Sequence, residues 1–378
     1  MPDELLDAAA TALEGVWHTH VRPFVPAGEL VDVHVHLGED ASDGSRLELA
    51  GLLESMAAGG VARSCAFPFQ SPRGTGYDTA NRMVLRAAAE AGERVVPFCR
   101  SEPGERFGAE LEAALDAGAR GIKLHTSLPG FDFSHPQLDL AFALAAERHV
   151  PMLFHTGRAV PPLARELAGL LERNPATQVL LAHCAIADLH EVCALRHPNI
   201  RFDTSLWNVL DVRALLCEAA PQQVLYGSDA PYYTPIGTQA KLFLQLAALR
   251  ASDAQLRETA SLGAERLLAG EPCEQLGEPL GAGAPLPSLA RLRAHEYLVM
   301  AVPLIWQQMP DRIGLLALAR QALGASPDTR GEAALELIGL AEQTWPYELE
   351  HGERAEILTV SWLTFRLIEL ADALIMAA

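Results

Sequence analysis

The sequence predicts an α/β protein: a (β/α)8 TIM barrel followed by a small all-α C-terminal domain. Three observations carry that reading. Between residues 30 and 270, short β-branched, apolar runs alternate with helical stretches that stop at glycine. Eight such repeats occupy roughly 240 residues, the size of a closed eightfold barrel, whereas an open doubly wound sheet commonly uses five or six strands. Several of the runs end in a residue able to bind a metal, at the strand ends where parallel barrels keep their chemistry.

The elements follow in order. Residues 1–29 form an N-terminal helical segment in which Asp3, Glu4 and Asp7 take the place of the basic and apolar stretches of a signal peptide. The first strand is Leu30-Val31-Asp32-Val33-His34-Val35-His36. A helix over 46–58 stops at Gly59-Gly60 before a strand over 62–68, and a helix over 81–91 stops at Gly92 before a strand over 95–99. The helix 105–117 stops at Gly118 and leads into Gly121-Ile122-Lys123-Leu124-His125. Helix 137–148 precedes Val150-Pro151-Met152-Leu153-Phe154-His155, and helix 161–173 precedes Val179-Leu180-Leu181-Ala182-His183. Helix 189–196 comes before strand 200–204, and helix 212–219 before Val224-Leu225-Tyr226-Gly227-Ser228-Asp229. A last barrel helix covers 241–249, and Ser252-x-x-Gln255 opens another with a capping box.

Residues 271–288 are rich in glycine and proline and read as a linker. Residues 289–378 are rich in Ala, Leu and Glu at helical spacing and predict three to five helices, with Pro303 and Pro346 as kinks or boundaries and Thr329-x-x-Glu332 as a capping box. The apolar stretch 357–378 is interrupted by Arg366, Glu369 and Asp372, which argues for a buried helix over a membrane span. These helices are expected to pack on the barrel or on a second subunit, so a homo-oligomer through them is one outcome.

Composition narrows the function. Hydrophobic residues make up 49% of the chain, enough for a full core, and 29 basic against 48 acidic residues give a net charge of −19. That charge speaks against nucleic acid and anionic membranes, since no basic cluster offers counterion release. Cys65, Cys99, Cys184, Cys193, Cys217 and Cys273 show no C-x-x-C spacing, which points to reduced thiols in a cytoplasmic enzyme and away from zinc-thiolate chemistry. Neither G-x-G-x-x-G nor G-x-x-x-x-G-K-[ST] occurs, so no nucleotide cofactor is expected.

Residues two apart on a strand share a face, so Asp32, His34 and His36 can all face the barrel interior at its mouth. A catalytic zinc site uses about three protein ligands and an open position. His155 and Asp229, at the ends of other strands, can complete the set begun by His34 and His36.

With these pieces assembled, the chain resembles the amidohydrolase superfamily, in particular its amidohydrolase 2 branch, which includes decarboxylases and hydratases besides hydrolases. The matching segments are Asp32-Val33-His34-Val35-His36, Gly121-Ile122-Lys123-Leu124-His125, Leu153-Phe154-His155-Thr156-Gly157, Leu181-Ala182-His183, Gly227-Ser228-Asp229-Ala230-Pro231 and Gly263-Ala264-Glu265-Arg266-Leu267-Leu268. The resemblance spans about residues 30 to 270 and leaves the C-terminal helices unattached to any family. It implies that His34, His36, His155 and Asp229 hold a divalent metal, zinc before manganese or iron, with His183 close to the reacting group. It implies further that Asp229 accepts a water proton and that His183 stabilises oxyanion charge or acts as acid or base. Lys123 marks a fork. Carboxylated, it would bridge to a second metal with His155 and His183; unmodified, it would attract a substrate carboxylate as a point charge. One metal is preferred, because no other residue pair forces a second.

Substrate recognition is expected from the loops after the strands, with Gln70, Arg73, Tyr77, Arg100, Arg158, Trp207 and Tyr232 as candidates, and from His125, two residues beyond Lys123 on the same strand face. Arg100 can grip a carboxylate with two parallel hydrogen bonds. The expected activity is metal-dependent hydrolysis of a small carbonyl substrate such as a lactone, cyclic amide, ester or amide. The alternatives are a decarboxylase or hydratase working from the same site, or a barrel without turnover that binds partners through its C-terminal helices. The Asp32-x-His34-x-His36 form leans away from the decarboxylases of the branch that begin this motif with glutamate.

Overall fold

A computed structural model describes the chain except residues 1, 27, 29, 127–129, 159, 206–207, 325–327, 353–361 and 378. Ten strands are assigned: β1 (Leu30–Glu39), β2 (Arg46–Leu47), β3 (Val61–Pro68), β4 (Val95–Pro97), β5 (Cys99–Arg100), β6 (Ile122–His125), β7 (Met152–His155), β8 (Val179–Ala182), β9 (Ile200–Asp203) and β10 (Val224–Leu225). Every neighbour pair except β1 with β2 is parallel. β4 and β5 are one stave interrupted at Phe98, whose N–H donates to Ala66 while Cys99 N–H donates to Gly121. The ring closes between first and last staves, where Val33 N–H donates to Tyr226 O at 3.1 Å and Val35 bridges Ala230. This is the closed eightfold barrel predicted from the repeats.

The run Val31, Val33, Cys65, Phe67, Val96, Phe98, Leu153, Leu180 and Leu225 packs as one cluster, and a larger cluster lies between strands and helices. Glycine stops act as predicted where the chain must turn left-handed: Gly60 at φ 64° ends the helix Leu49–Gly59, and Gly92 at φ 66° ends Asp78–Ala91. The expected helix over 46–58 starts later. Asp40 accepts the N–H of Ser42, and Asp43 accepts that of Ser45, so two side-chain turns fold the chain back and pair Arg46 and Leu47 antiparallel with Glu39 and Gly38.

After a stretch of turns over 271–288, four helices follow among the described residues: Leu289–Trp306, Leu315–Leu323, Thr329–His351 and Leu363–Met376. Pro303 and Pro346 both lie inside helices. The N-cap of the third is Asp328, which accepts the Gly331 N–H, so the predicted Thr329 capping box gives way to a simple cap one residue earlier, with no side chain at Gly331 to return the bond. The N-terminal helix Pro2–Val16 also packs on this bundle.

Helix Leu363–Met376 is buried on every side but Arg366 and lies against the last barrel helix, Pro235–Ala248. Its polar residues have dedicated partners: Glu369 pairs with Lys241, and Asp372 lies 2.7 Å from His295. No helix among the described residues is long and apolar enough to cross a membrane.

Candidate active site

The site is built by strand register. β6, β7 and β8 pair so that His125 lies beside His155, and His155 beside Ala182. His183 comes one residue past β8 at φ 68°, and Asp229 follows β10 at φ 61°; both are non-glycine residues in the left-handed region, a conformation that the surrounding structure must hold in place. Asp229 is held by its own N–H, which donates to His34 O at 2.8 Å, and by His36 N–H, which donates to Ala230 O at 2.8 Å. Asp32 lies beneath as a tie. Its Oδ1 accepts the N–H groups of His34 and Ser228, and burial raises its carboxyl to about 7.

Three imidazoles and a carboxylate converge above that tie. Asp229 Oδ1 lies 3.1 Å from His34 Nε2 and 3.0 Å from His36 Nε2, yet no hydrogen bond of acceptable geometry reaches it. Among the described residues, His34, His183 and Asp229 are the group whose ligand atoms all lie within 4.8 Å of one another. His155 stands one layer away: its Nδ1 is 3.1 Å from His183 Nε2, and its ring stacks on His125 at 3.8 Å. Imidazole nitrogens with a buried, unsatisfied carboxylate oxygen are the donor set of a divalent cation, so these residues fit one.

Asp203 organises the donors. It lies at the end of β9, fully buried, with Oδ2 2.7 Å from His34 Nδ1 and Oδ1 accepting the His183 and Ser205 N–H groups, each at 3.0 Å. Because a carboxylate only accepts, the His34 proton sits on Nδ1 and Nε2 is turned toward Asp229. His183 Nδ1 likewise lies 2.5 Å from Ser205 O, which leaves Nε2 facing the site. Asp203 and Ser205 were missed in the sequence, although Asp203 ends a strand as Asp229 and the histidines do.

Electrostatics follow from burial. It works to raise both carboxyls, but His34, with His183 and Ser205 adding, outweighs it and holds Asp203 at about 2; His34, His36 and His183 together hold Asp229 well below the usual carboxylate range. Burial lowers His36 to about 3 and also pushes His125, His155 and His183 down. For His34, burial and Lys123 press downward and are outweighed by Asp203 and Asp229. Lys123 is itself driven down to about 7 by burial; its Nζ lies 3.4 Å from His34 Nε2 and 4.5 Å over the Phe67 ring.

A cavity of about 390 Å³ opens onto this group and is lined by His36, His125, His155, His183 and Asp229 from the strand ends. Arg100, Gln70, Arg158 and Tyr232 line it as well, so four of the loop candidates reach it. Arg100 is 2% exposed, with its guanidinium on Gln70 and over Tyr77. Arg158 lies at the rim, paired with Asp211 at 2.7 Å. Lys123 lies beneath His34 and is not part of the lining, Arg73 is exposed away from it, and Tyr77 is buried behind Arg100. Trp207 lies outside the described residues. Asp40, Ser42, Asp43, Thr156, Tyr233 and Trp306 complete the lining without having been singled out in the sequence.

The amidohydrolase family model, Amidohydro_2, matches residues 31–269. The chain belongs to the amidohydrolase family. It is therefore an enzyme of a metal-dependent family, and among the described residues the His34, His183 and Asp229 group could hold an ion. Among solved structures, it is similar to an uncharacterized TIM-barrel protein of Bordetella bronchiseptica at 17% identity, covering 64% of this chain and 99% of that one with a TM-score of 0.51. It is also similar to a Staphylococcus aureus protein described as a "putative amidohydrolase" at 14% identity, again 64% of this chain and 99% of that one, with a TM-score of 0.51. These likenesses establish the barrel fold. No curated protein matches the chain.

Proposed function

We propose that this amidohydrolase is a metal-dependent hydrolase of a small carbonyl compound, a lactone, cyclic amide, ester or amide, using one zinc ion held by His34, His36, His183 and Asp229. The observation that carries the reading is Asp229 Oδ1, buried between two imidazole nitrogens at 3.1 and 3.0 Å with no hydrogen bond of its own. A buried acceptor left unsatisfied costs about 1–3 kcal/mol, and a cation among these donors removes that cost. When bound, the ion supplies Lewis acidity and an acidified water at neutral pH.

The chain's own residues do the rest. Asp229 takes the proton of the attacking water at its carboxylate and passes it to the leaving atom. Asp203 keeps His34 in the tautomer that offers Nε2. In this reading His155 and His183 exchange the roles expected from the family resemblance: both line the cavity, but His183 groups with His34 and Asp229 within 4.8 Å, which leaves His155, stacked on His125, to meet the reacting group. Arg100, buried at the wall beside Gln70, binds a carboxylate on the substrate, whereas Lys123, beneath His34 and outside the cavity lining, does not touch the substrate. Six unpaired cysteines support a reducing, cytoplasmic setting.

The test has two parts. Metal analysis should show His183→Ala losing bound zinc, while His155→Ala keeps zinc and loses turnover; the reverse pattern restores the original assignment. A panel of lactones, cyclic amides and carboxylic acids, run in water labelled with heavy oxygen, should put label into product. Carbon dioxide release without label would replace hydrolysis by decarboxylation.

A further inference from the structure

We propose that the C-terminal helices are part of the active site: Trp306 walls the substrate cavity and makes this enzyme select compounds that carry a flat apolar group beyond the reacting carbonyl. The inference rests on the hydrolase reading for the position of that carbonyl, and on separate observations for the wall.

Trp306 is the last residue of the helix Leu289–Trp306 and lines the same cavity as His155, His183 and Asp229. It lies beyond residue 269, where the family match ends, and the two solved barrels described above are matched over 99% of their length by only 64% of this chain. The wall is therefore an addition to the barrel and not one of its loops.

The indole is fixed from two directions. Its ring centroid lies 6.2 Å from Phe365, in the helix Leu363–Met376, and 6.4 Å from Tyr233. Tyr233 belongs to the loop that begins at Asp229, lines the cavity itself, and has Lys241 Nζ 5.1 Å over its ring. Lys241 in turn forms a buried ion pair with Glu369 of Leu363–Met376. Bundle and loop thus hold one another, and an aromatic wall that is already ordered loses little freedom when a ligand arrives.

Chemistry divides the cavity. His155 meets the reacting group beside His183 and Asp229 of the donor set, Arg100 and Gln70 present hydrogen-bond donors and acceptors, and Tyr233 with Trp306 offers apolar ring surface. About 390 Å³ accommodates a small molecule with one ring and a polar substituent. Ring against ring is the contact such a wall rewards.

Calorimetric titration of the zinc-loaded full chain with benzohydroxamate and acetohydroxamate tests this, because both ligands bind metal alike and differ in the ring. Trp306→Ala should weaken benzohydroxamate about tenfold, the equivalent of ~1.4 kcal/mol, leave acetohydroxamate within about twofold, and leave zinc content unchanged; Trp306→Phe should recover most of the loss. Equal losses for both ligands, or no loss for either, overturn the proposal. If the protein retains no zinc, or neither hydroxamate binds, the hydrolase reading fails, and benzoate against acetate on metal-free protein decides the wall alone. A benzoate preference that Trp306→Ala removes upholds it. Absence of that preference, or its survival in the variant, overturns it.

Discussion

Asp203→Asn exchanges one atom and poses an insoluble hydrogen-bonding problem. In the native site, one oxygen of Asp203 lies 2.7 Å from His34 Nδ1, while the other accepts two backbone N–H groups, from His183 and Ser205, at 3.0 Å each. Asparagine has one acceptor oxygen and one donor amide. If the oxygen serves the backbone, the amide faces His34 Nδ1, pushes the imidazole proton onto Nε2 and blocks that nitrogen as a ligand. If it serves His34, two fully buried N–H donors face an amide and go unsatisfied, at about 1–3 kcal/mol each. Removal of such an outer partner typically weakens metal binding by about 10–100-fold, or roughly 1.4–2.7 kcal/mol. Zinc competition against a chromophoric chelator, with a thermal melt in parallel, reads both branches. A variant that melts like the wild type and holds zinc within about threefold of it would refute the argument that Asp203 sets the His34 tautomer.

Three further outcomes follow from the fold. Lys241→Met leaves Glu369 charged and buried without its cation, and should destabilise by about 3–5 kcal/mol in urea unfolding, whereas Lys241→Met with Glu369→Leu should recover most of that loss. Burial works to lower the His295 imidazole, but Asp372 at 2.7 Å, with Glu296 and Asp211 adding, raises it above its ordinary 6.5. The folded state therefore binds this proton more tightly than the unfolded chain. Its stabilisation is complete below pH 6.5 and is lost as pH rises through the raised value. Melting temperature measured from about pH 5 to about pH 9 should show that loss in the wild type and a flatter profile in His295→Gln; identical profiles would dismiss the pair. Gly121→Ala would set a Cβ 2.5 Å from the buried Phe98 ring and should destabilise by about 1–3 kcal/mol, a cost that an unchanged urea midpoint would contradict.

Local rules reached far into this protein because a barrel is built from a local repeat. Alternation of strand and helix, glycine at helix ends and the two-residue parity of His34 and His36 depend on neighbours in the chain, and each is readable there. His155 and His183 show where such rules stop. Both follow apolar runs in the same way, but the left-handed backbone at His183 swings its ring toward His34 and Asp229, and no strand pattern encodes that turn. Asp203 was legible by the same criterion as Asp229, as the polar end of a predicted strand, but its partners lie 169 and 20 residues away. Arg73 and Arg100 looked alike as loop arginines. Only packing tells them apart, since one is exposed and the other is enclosed by Gln70, Tyr77 and the Pro68 carbonyl.

The segment that motif reading left without a role explains an oddity of the barrel itself. A surface helix should be polar on one face, yet Pro235–Ala248 is buried at Pro235 and at every position from Gly237 to Leu246, Thr238, Gln239, Lys241 and Gln245 included. Those four polar residues find partners inside the fold: Thr238 pairs with Tyr226, Gln239 donates its amide to the Gly59 carbonyl, Lys241 pairs with Glu369, and Gln245 donates to the Met376 carbonyl. The last two partners belong to the C-terminal bundle, so the outer face of this helix has been made interior. Directly before the helix runs the loop from Asp229 to Tyr233, in which Tyr232 meets the His36 ring edge-on at 5.2 Å and Tyr233 meets Trp306. The carboxylate that completes the donor group therefore sits on a connection clamped at one end by the barrel and at the other by the bundle, and the helices act on the chemistry by fixing where that connection can lie.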